Sequence, residues 1–140
     1  MIIDWHTHLH PPEYAAKSFW QGRCPMTIEN ILAVQEQAGI DMTVVSNAAH
    51  ELRQLNRDQQ FEMVCTINRY LAEQKHKYPD KIMAFACSVP TGGDRFLKEL
   101  ERAVTKDGMQ GVWVTSSLQG DYPDDDEARP FFQLVNDLGI

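Results

Sequence analysis

Four short apolar runs recur along the chain, each followed by a stretch with helical spacing, and few folds accommodate that order. The runs are "MIID" at 1–4, which residues 2–8 extend, "IDMTVVSNA" at 40–48, "KIMAFACSVP" at 81–90 and "GVWVTSS" at 111–117. They are apolar at successive rather than alternate positions, as in strands covered on both faces. After them, "TIENILAVQEQAG" at 27–39 carries Ile28, Ile31, Leu32 and Val34 as a stripe, with Thr27 placed to cap a helix and Gly39 to stop it. Residues 57–77 set Phe61, Val64, Cys65, Asn68 and Leu71 along one helical face, and Tyr78-Pro79 ends the run. Asp94 is placed to cap a helix bearing Phe96, Leu97, Leu100 and Val104. Pro130 suits the first turn of a last helix, whose stripe is Phe131, Leu134, Val135 and Leu138 before Gly139.

Strands alternating with helices predict an α/β domain of four βα units, with parallel strands and right-handed crossovers. Two architectures satisfy that pattern: an open doubly wound sheet, or part of a (β/α)8 barrel. A whole barrel takes roughly 250 residues, and the 140 residues here make about half of one. Residues 1–140 are read as one domain. Residues 11–26 mix Pro, Gly and aromatics without a period and predict a long loop of functional use.

Composition narrows the function classes. The formal charge of −7 is spread out with no Lys/Arg block, which argues against nucleic acid and anionic membrane surfaces as partners. No apolar run reaches the length of about 18 residues needed to span a bilayer, and Asp4 and His6 interrupt the apolar start, so no signal peptide is expected. Cys24, Cys65 and Cys87 are odd in number and form no CxxC pair, which predicts reduced thiols in a cytoplasmic protein.

The chemistry concentrates at "DWHTHLHPPEY". Residues i and i+2 of a strand share a face, so His6 and His8 are expected to project together at the carboxyl end of the first strand, the end that carries active sites in parallel α/β folds. Two neutral imidazoles side by side suit zinc or a similar divalent ion. The bland alternative is a pair of hydrogen-bonded strand-end residues without metal. Asp4, of the same parity, would orient a ligand or face a polar neighbour. His10 precedes Pro11-Pro12 and is read as a substrate-loop or solvent residue. Trp5 and Thr7, of opposite parity, are expected to pack outward against helices.

These segments resemble the amidohydrolase superfamily, in particular the amidohydrolase-related branch with its aminocarboxymuconate-semialdehyde decarboxylase-like and γ-resorcylate decarboxylase-like members. "IIDWHTHLHPPEY" is similar to that branch's opening, "YPDKIMAFACSVP" to its third-strand segment, and residues 97–140 to its next helix, fourth strand and following helix. The resemblance implies a distorted (β/α)8 barrel with one divalent metal, usually zinc, at its carboxyl face. It implies His6 and His8 as the metal-ligand pair, and a small carboxylated substrate that is hydrolysed or decarboxylated without oxidation. The family's other ligands, a histidine after strand five, often another on strand six, and an aspartate after strand eight, are not matched here. The catalytic aspartate is therefore absent from this chain, and the sequence stops at "LGI" where strand five is expected to begin. Three pictures follow: a piece of a longer protein, two copies closing a barrel-like homo-oligomer through open sheet edges, or a rearranged small domain. The rival functions are a non-catalytic α/β binding module and a half-barrel that needs a partner chain.

Further substrate-contact candidates are Trp20 and Arg23 in the first loop, Asn47 after the second strand and Thr115 at the end of the fourth, with His50 beside Asn47. Arg23 is the type that pairs with a carboxylate. The run "GDYPDDDEA" lacks the spaced ligands of a calcium loop and reads as a solvated helix leader.

Overall fold

The computed structural model describes residues 1–15, 27–47 and 50–140. Four strands, β1 (Ile3–His8), β2 (Met42–Ser46), β3 (Ile82–Cys87) and β4 (Gly111–Trp113), lie in the order β1-β2-β3-β4, and every pair is parallel. The helices are α1 (Pro12–Ala15), α2 (Ile28–Ala38), α3 (Arg57–Lys77), α4 (Asp94–Thr105) and α5 (Arg129–Leu138). The predicted α/β order is therefore present. Consecutive strands are neighbours, as expected where each strand feeds a helix that packs back on the sheet.

Local chemistry accounts for the helix ends. Thr27 Oγ1 accepts from Asn30 N–H at 3.4 Å, and Gly39 closes α2 in the left-handed conformation at φ 67°. Asn56 caps α3, and Gln59 returns the bond to the Asn56 N–H, a full capping box. Asp94 is not a cap. Gly93 holds that place without a side-chain bond, and Asp94 opens the helix, where a carboxylate meets the positive helix end.

The core lies between the sheet and α3, α4 and α5, built from Val64, Ile67 and Leu71 of α3, Ile82 and Ala84 of β3, Phe96 and Leu100 of α4, and Phe131 of α5. One polar tie runs through it. Asn68 on α3 accepts from Cys87 N–H at 2.8 Å and donates to Cys87 O at 3.2 Å and Glu99 Oε1 at 3.1 Å. Arg102 then forks onto Glu99 at 2.7 and 2.9 Å.

Several expectations need correction. Pro11 and Pro12 do not open a plain loop, since Pro12 starts the short helix α1, where its fixed φ suits a first turn. A 3-10 turn at His50–Gln54 precedes α3 and had no periodic signature. On α2, Val34 is exposed and Gln35 is the buried residue, its amide donating to Thr43 Oγ1 at 2.7 Å and Lys81 O at 2.9 Å. β4 ends at Trp113 rather than 117, because the chain leaves the sheet for a turn at 118–121. Not every strand is covered on both faces: Trp5 on edge strand β1 is 65% exposed. Its ring meets Phe85 of β3 edge-on at 5.8 Å rather than packing outward against a helix.

β1 also departs from strict alternation. Its register to β2 runs Ile3 to Met42 and Asp4 to Thr43, then Thr7 to Val45 and His8 to Ser46, so one extra residue is inserted between Asp4 and Thr7. The Asp4 carboxylate organises the bulge by accepting the His6 N–H at 3.2 Å and the Thr7 hydroxyl. Asp4 and Thr7 thus touch side chain to side chain, and both line a 310 Å³ cavity with Ile31, Val34 and Gln35 of α2.

Candidate metal centre

Beyond the bulge the two histidines come together. His6 Nε2 and His8 Nε2 are 3.2 Å apart, with ring centroids 4.7 Å apart and planes at 77°. That separation is the test of fit for a shared ion. Two nitrogens held about 2.05 Å from one ion and separated by this distance subtend roughly 100°. The value lies between the octahedral and tetrahedral angles, so the pair fits a divalent ion without choosing its identity.

His8 has the protonation state that such a site requires. Burial, then the neighbouring charge on His6, His10 and His50, holds its imidazole down at about 4 from an ordinary 6.5. It is therefore neutral near pH 7, the form that ligates. The Ser46 hydroxyl at the end of β2 lies 3.2 Å from His8 Nδ1. A proton on Nδ1 shared with Ser46 leaves the Nε2 lone pair facing His6. Of the two places expected for Asp4, it takes the one beside a polar neighbour, its carboxylate accepting from the Thr7 hydroxyl and the His6 N–H at the bulge. Among the described residues no group of three or more His, Cys, Asp or Glu side chains is placed to hold an ion. His6 and His8 thus offer two facing imidazole nitrogens and not a closed shell.

The pair borders a cleft of 270 Å³ whose other walls include His50, Arg53, Trp113 and Thr115. The Trp113 ring meets His8 edge-on at 5.9 Å and 86°. Arg53 had escaped sequence reading, because it sits in the 3-10 turn after β2. Its place just past a strand's carboxyl end in a β-to-α connection was the available signal. Among the described residues no carboxylate pairs with its guanidinium, whereas Arg57, Arg95, Arg102 and Arg129 each have one.

The other candidates fare unevenly. Thr115 lines the cleft, with its hydroxyl donating to Ser117 O at 3.1 Å. Asn47 is buried, and its amide donates to Leu9 O at 2.9 Å, tying the end of β2 to the end of β1. His10 is neither a solvent nor a cleft residue. It is 3% exposed, its Nε2 has no hydrogen-bond partner among the described residues, and burial lowers its pKa from 6.5. Trp20 and Arg23 lie outside the described residues.

A family model described as Amidohydrolase matches residues 3–140. The chain belongs to the amidohydrolase family. A γ-resorcylate decarboxylase of Rhizobium sp. (strain MTP-10005) is 30% identical to this amidohydrolase-family chain over 116 residues, spanning 78% of this chain and 36% of the relative. The crystal structure of a 2,6-dihydroxybenzoate decarboxylase from Rhizobium shares the fold with a TM-score of 0.87 at 24% identity, over 99% of this chain and 47% of that one. A dihydroxybenzoic acid decarboxylase from Polaromonas sp. JS666, with bound manganese and the inhibitor 2-nitroresorcinol, gives 0.84 at 22% identity, over 99% of this chain and 47% of that one. The chain spans less than half the length of each of these relatives. Its four parallel strands and their helices have the architecture of the corresponding part of the amidohydrolase barrel. Among the described residues no helix is long and apolar enough to cross a membrane.

Proposed function

We propose that this chain supplies two metal ligands and the carboxylate-recognition wall of a metal-dependent, non-oxidative decarboxylase acting on a small hydroxylated aromatic acid. The observation that carries the reading is the His6–His8 pair, 3.2 Å between facing nitrogens, on the same cleft as Arg53, whose guanidinium has no carboxylate partner among the described residues. The names of the relatives support the reaction class, and hydrolysis by the same ligand pair is the competing chemistry within the family.

His6 and His8 would hold the ion through Nε2, with Ser46 fixing the tautomer of His8. When bound, a divalent ion supplies Lewis acidity to an oxygen of the substrate. Arg53 takes the substrate carboxylate as a two-pronged donor and sets its orientation over the cleft. The edges of Trp113 and the Thr115 side chain shape the wall against which an aromatic ring lies. Two imidazole donors suit zinc, and we propose zinc or manganese as the ion, manganese being what the Polaromonas relative holds. A reducing, cytoplasmic setting belongs to the same proposal, supported by the free thiols of Cys65 and Cys87.

Metal analysis of the purified chain after separate reconstitution with zinc and manganese, followed by calorimetric titration with 2,6-dihydroxybenzoate, tests the reading. The expected result is uptake of an ion that His6→Ala and His8→Ala each abolish, and acid binding that Arg53→Met weakens. A chain that folds, takes up neither ion and ignores the acid would refute it.

A further inference from the structure

Leu118 and Asp121 pair across a two-residue turn, with N–H to O distances of 2.9 and 3.0 Å in the two directions. The corner residues Gln119 and Gly120 both have positive φ, 56° and 98°. That combination makes a type I′ turn, in which a first corner residue bearing a side chain is by preference Asn or Asp. Gln119 has no such local advantage, and among the described residues it alone, apart from glycines, takes a positive φ. A local rule broken in this way points to a compensating contact elsewhere.

The contact is specific. Gln119 Nε2 donates to Arg53 O at 3.1 Å and to Leu55 O at 2.9 Å. Gln119 Oε1 accepts from Gln60 Nε2 at 3.0 Å. Gln60, fully buried, also donates to Leu52 O at 2.9 Å, so the two carboxamides together hold three carbonyls of one short segment. That segment carries His50 and Arg53 to the cleft. The turn itself is anchored from its other end, where the Asp121 carboxylate accepts from Arg57 at 2.8 Å and Thr91 at 2.9 Å. The hairpin is therefore pinned by Asp121, and the wall that bears Arg53 hangs on Gln119.

We propose that Gln119 is a positioning residue for Arg53: from the loop after β4 it fixes the backbone of the β2–α3 connection, and so sets how the cleft meets a carboxylate. This rests on the reading of Arg53 as the carboxylate anchor. The test uses Gln119→Asn and Gln119→Gly in the 140-residue chain. The first keeps the amide but is one methylene shorter and suits the turn better, and the second removes the unfavourable φ. Both are expected to unfold at or above the wild-type temperature. Amide hydrogen exchange over residues 51–55 is expected to rise about tenfold as local opening becomes easier, while Val64, Ile67 and Leu71 in α3 exchange as before. With manganese present, the Kd for 2,6-dihydroxybenzoate is expected to weaken about tenfold, in the direction of Arg53→Met.

Unchanged exchange at 51–55, or exchange raised throughout the chain, overturns the proposal. So does binding that Arg53→Met weakens and neither Gln119 variant does. If the wild-type chain binds no dihydroxybenzoate, the functional reading fails, and the exchange data alone decide the role of Gln119.

Discussion

Replacing Asn68 by alanine removes a single side chain that serves both backbone groups of Cys87. Asn68 is fully buried, accepts the Cys87 N–H at 2.8 Å and donates to the Cys87 carbonyl at 3.2 Å. Cys87 is itself 1% exposed, so no solvent reaches in to replace those bonds. Each buried backbone group left unpaired costs about 1–3 kcal/mol. Glu99 loses one donor but keeps the Arg102 fork at 2.7 and 2.9 Å, which limits its share. The sum is about 4 kcal/mol, a large part of a domain stability of roughly 5–15 kcal/mol. Urea unfolding followed by circular dichroism should show the midpoint falling by about 2 M for a slope near 2 kcal/mol/M. The slope itself should not change. The loss reaches the cleft, because Cys87 is in register with Trp113, whose ring meets His8. A fall of less than about 1 kcal/mol at constant slope would mean that the Cys87 groups find other partners, and the polar tie would not be what secures the end of β3.

Three further outcomes are expected. Ser46→Ala removes the hydroxyl beside His8 Nδ1 and should weaken divalent-ion affinity by roughly 10–100-fold in a competition titration with a chromophoric chelator, with the fold intact. Gly111→Ala would bring a Cβ to 2.7 Å from the Phe85 ring, so thermal unfolding should report a loss of about 1–3 kcal/mol, smaller when combined with Phe85→Leu. The hydrogen bonds from Arg57 and Thr91 hold the Asp121 carboxyl below its ordinary 3.8, so the folded state favours the ionised form. That stability is present above the ordinary value and lost as pH falls through the lowered one; acid titration of Asp121→Asn should show a shallower decline below pH 3.8.

What could be read from the sequence tracks the range of the interactions involved. Strands and helices were legible because each is announced within a few residues, as by Thr27 before α2 and Gly39 after it. The pairing of His6 with His8 was also legible, though the reasoning behind it was incomplete. Strict alternation from Asp4 would have kept both imidazoles on its face, and the inserted residue breaks that alternation, so that His6 and His8 border the cleft as well as the cavity beside α2. An Asp two residues before a histidine is a known turn-former, but nothing local says that it will use that capacity inside a strand. The burial of Asn47 and His10 was hidden for a different reason. Each lies near the end of a strand where the carboxyl face would expose it, yet each is buried, Asn47 against Leu9 and His10 close to His50 and Glu51. Arg53 was invisible because a 3-10 turn of five residues has no periodicity to announce it.

The inserted residue of β1 has a bearing on how such a chain would lose its chemistry in descent. Where a ladder is unbroken, losing a ligand takes replacement of the ligand. Here loss of the Asp4 carboxylate would leave every histidine in place and yet free the inserted residue to shift along the strand, changing the face that His6 and His8 share. An alignment counting only the histidines would score such a descendant as intact. Asp4 is thus as much a part of the motif as the histidines themselves.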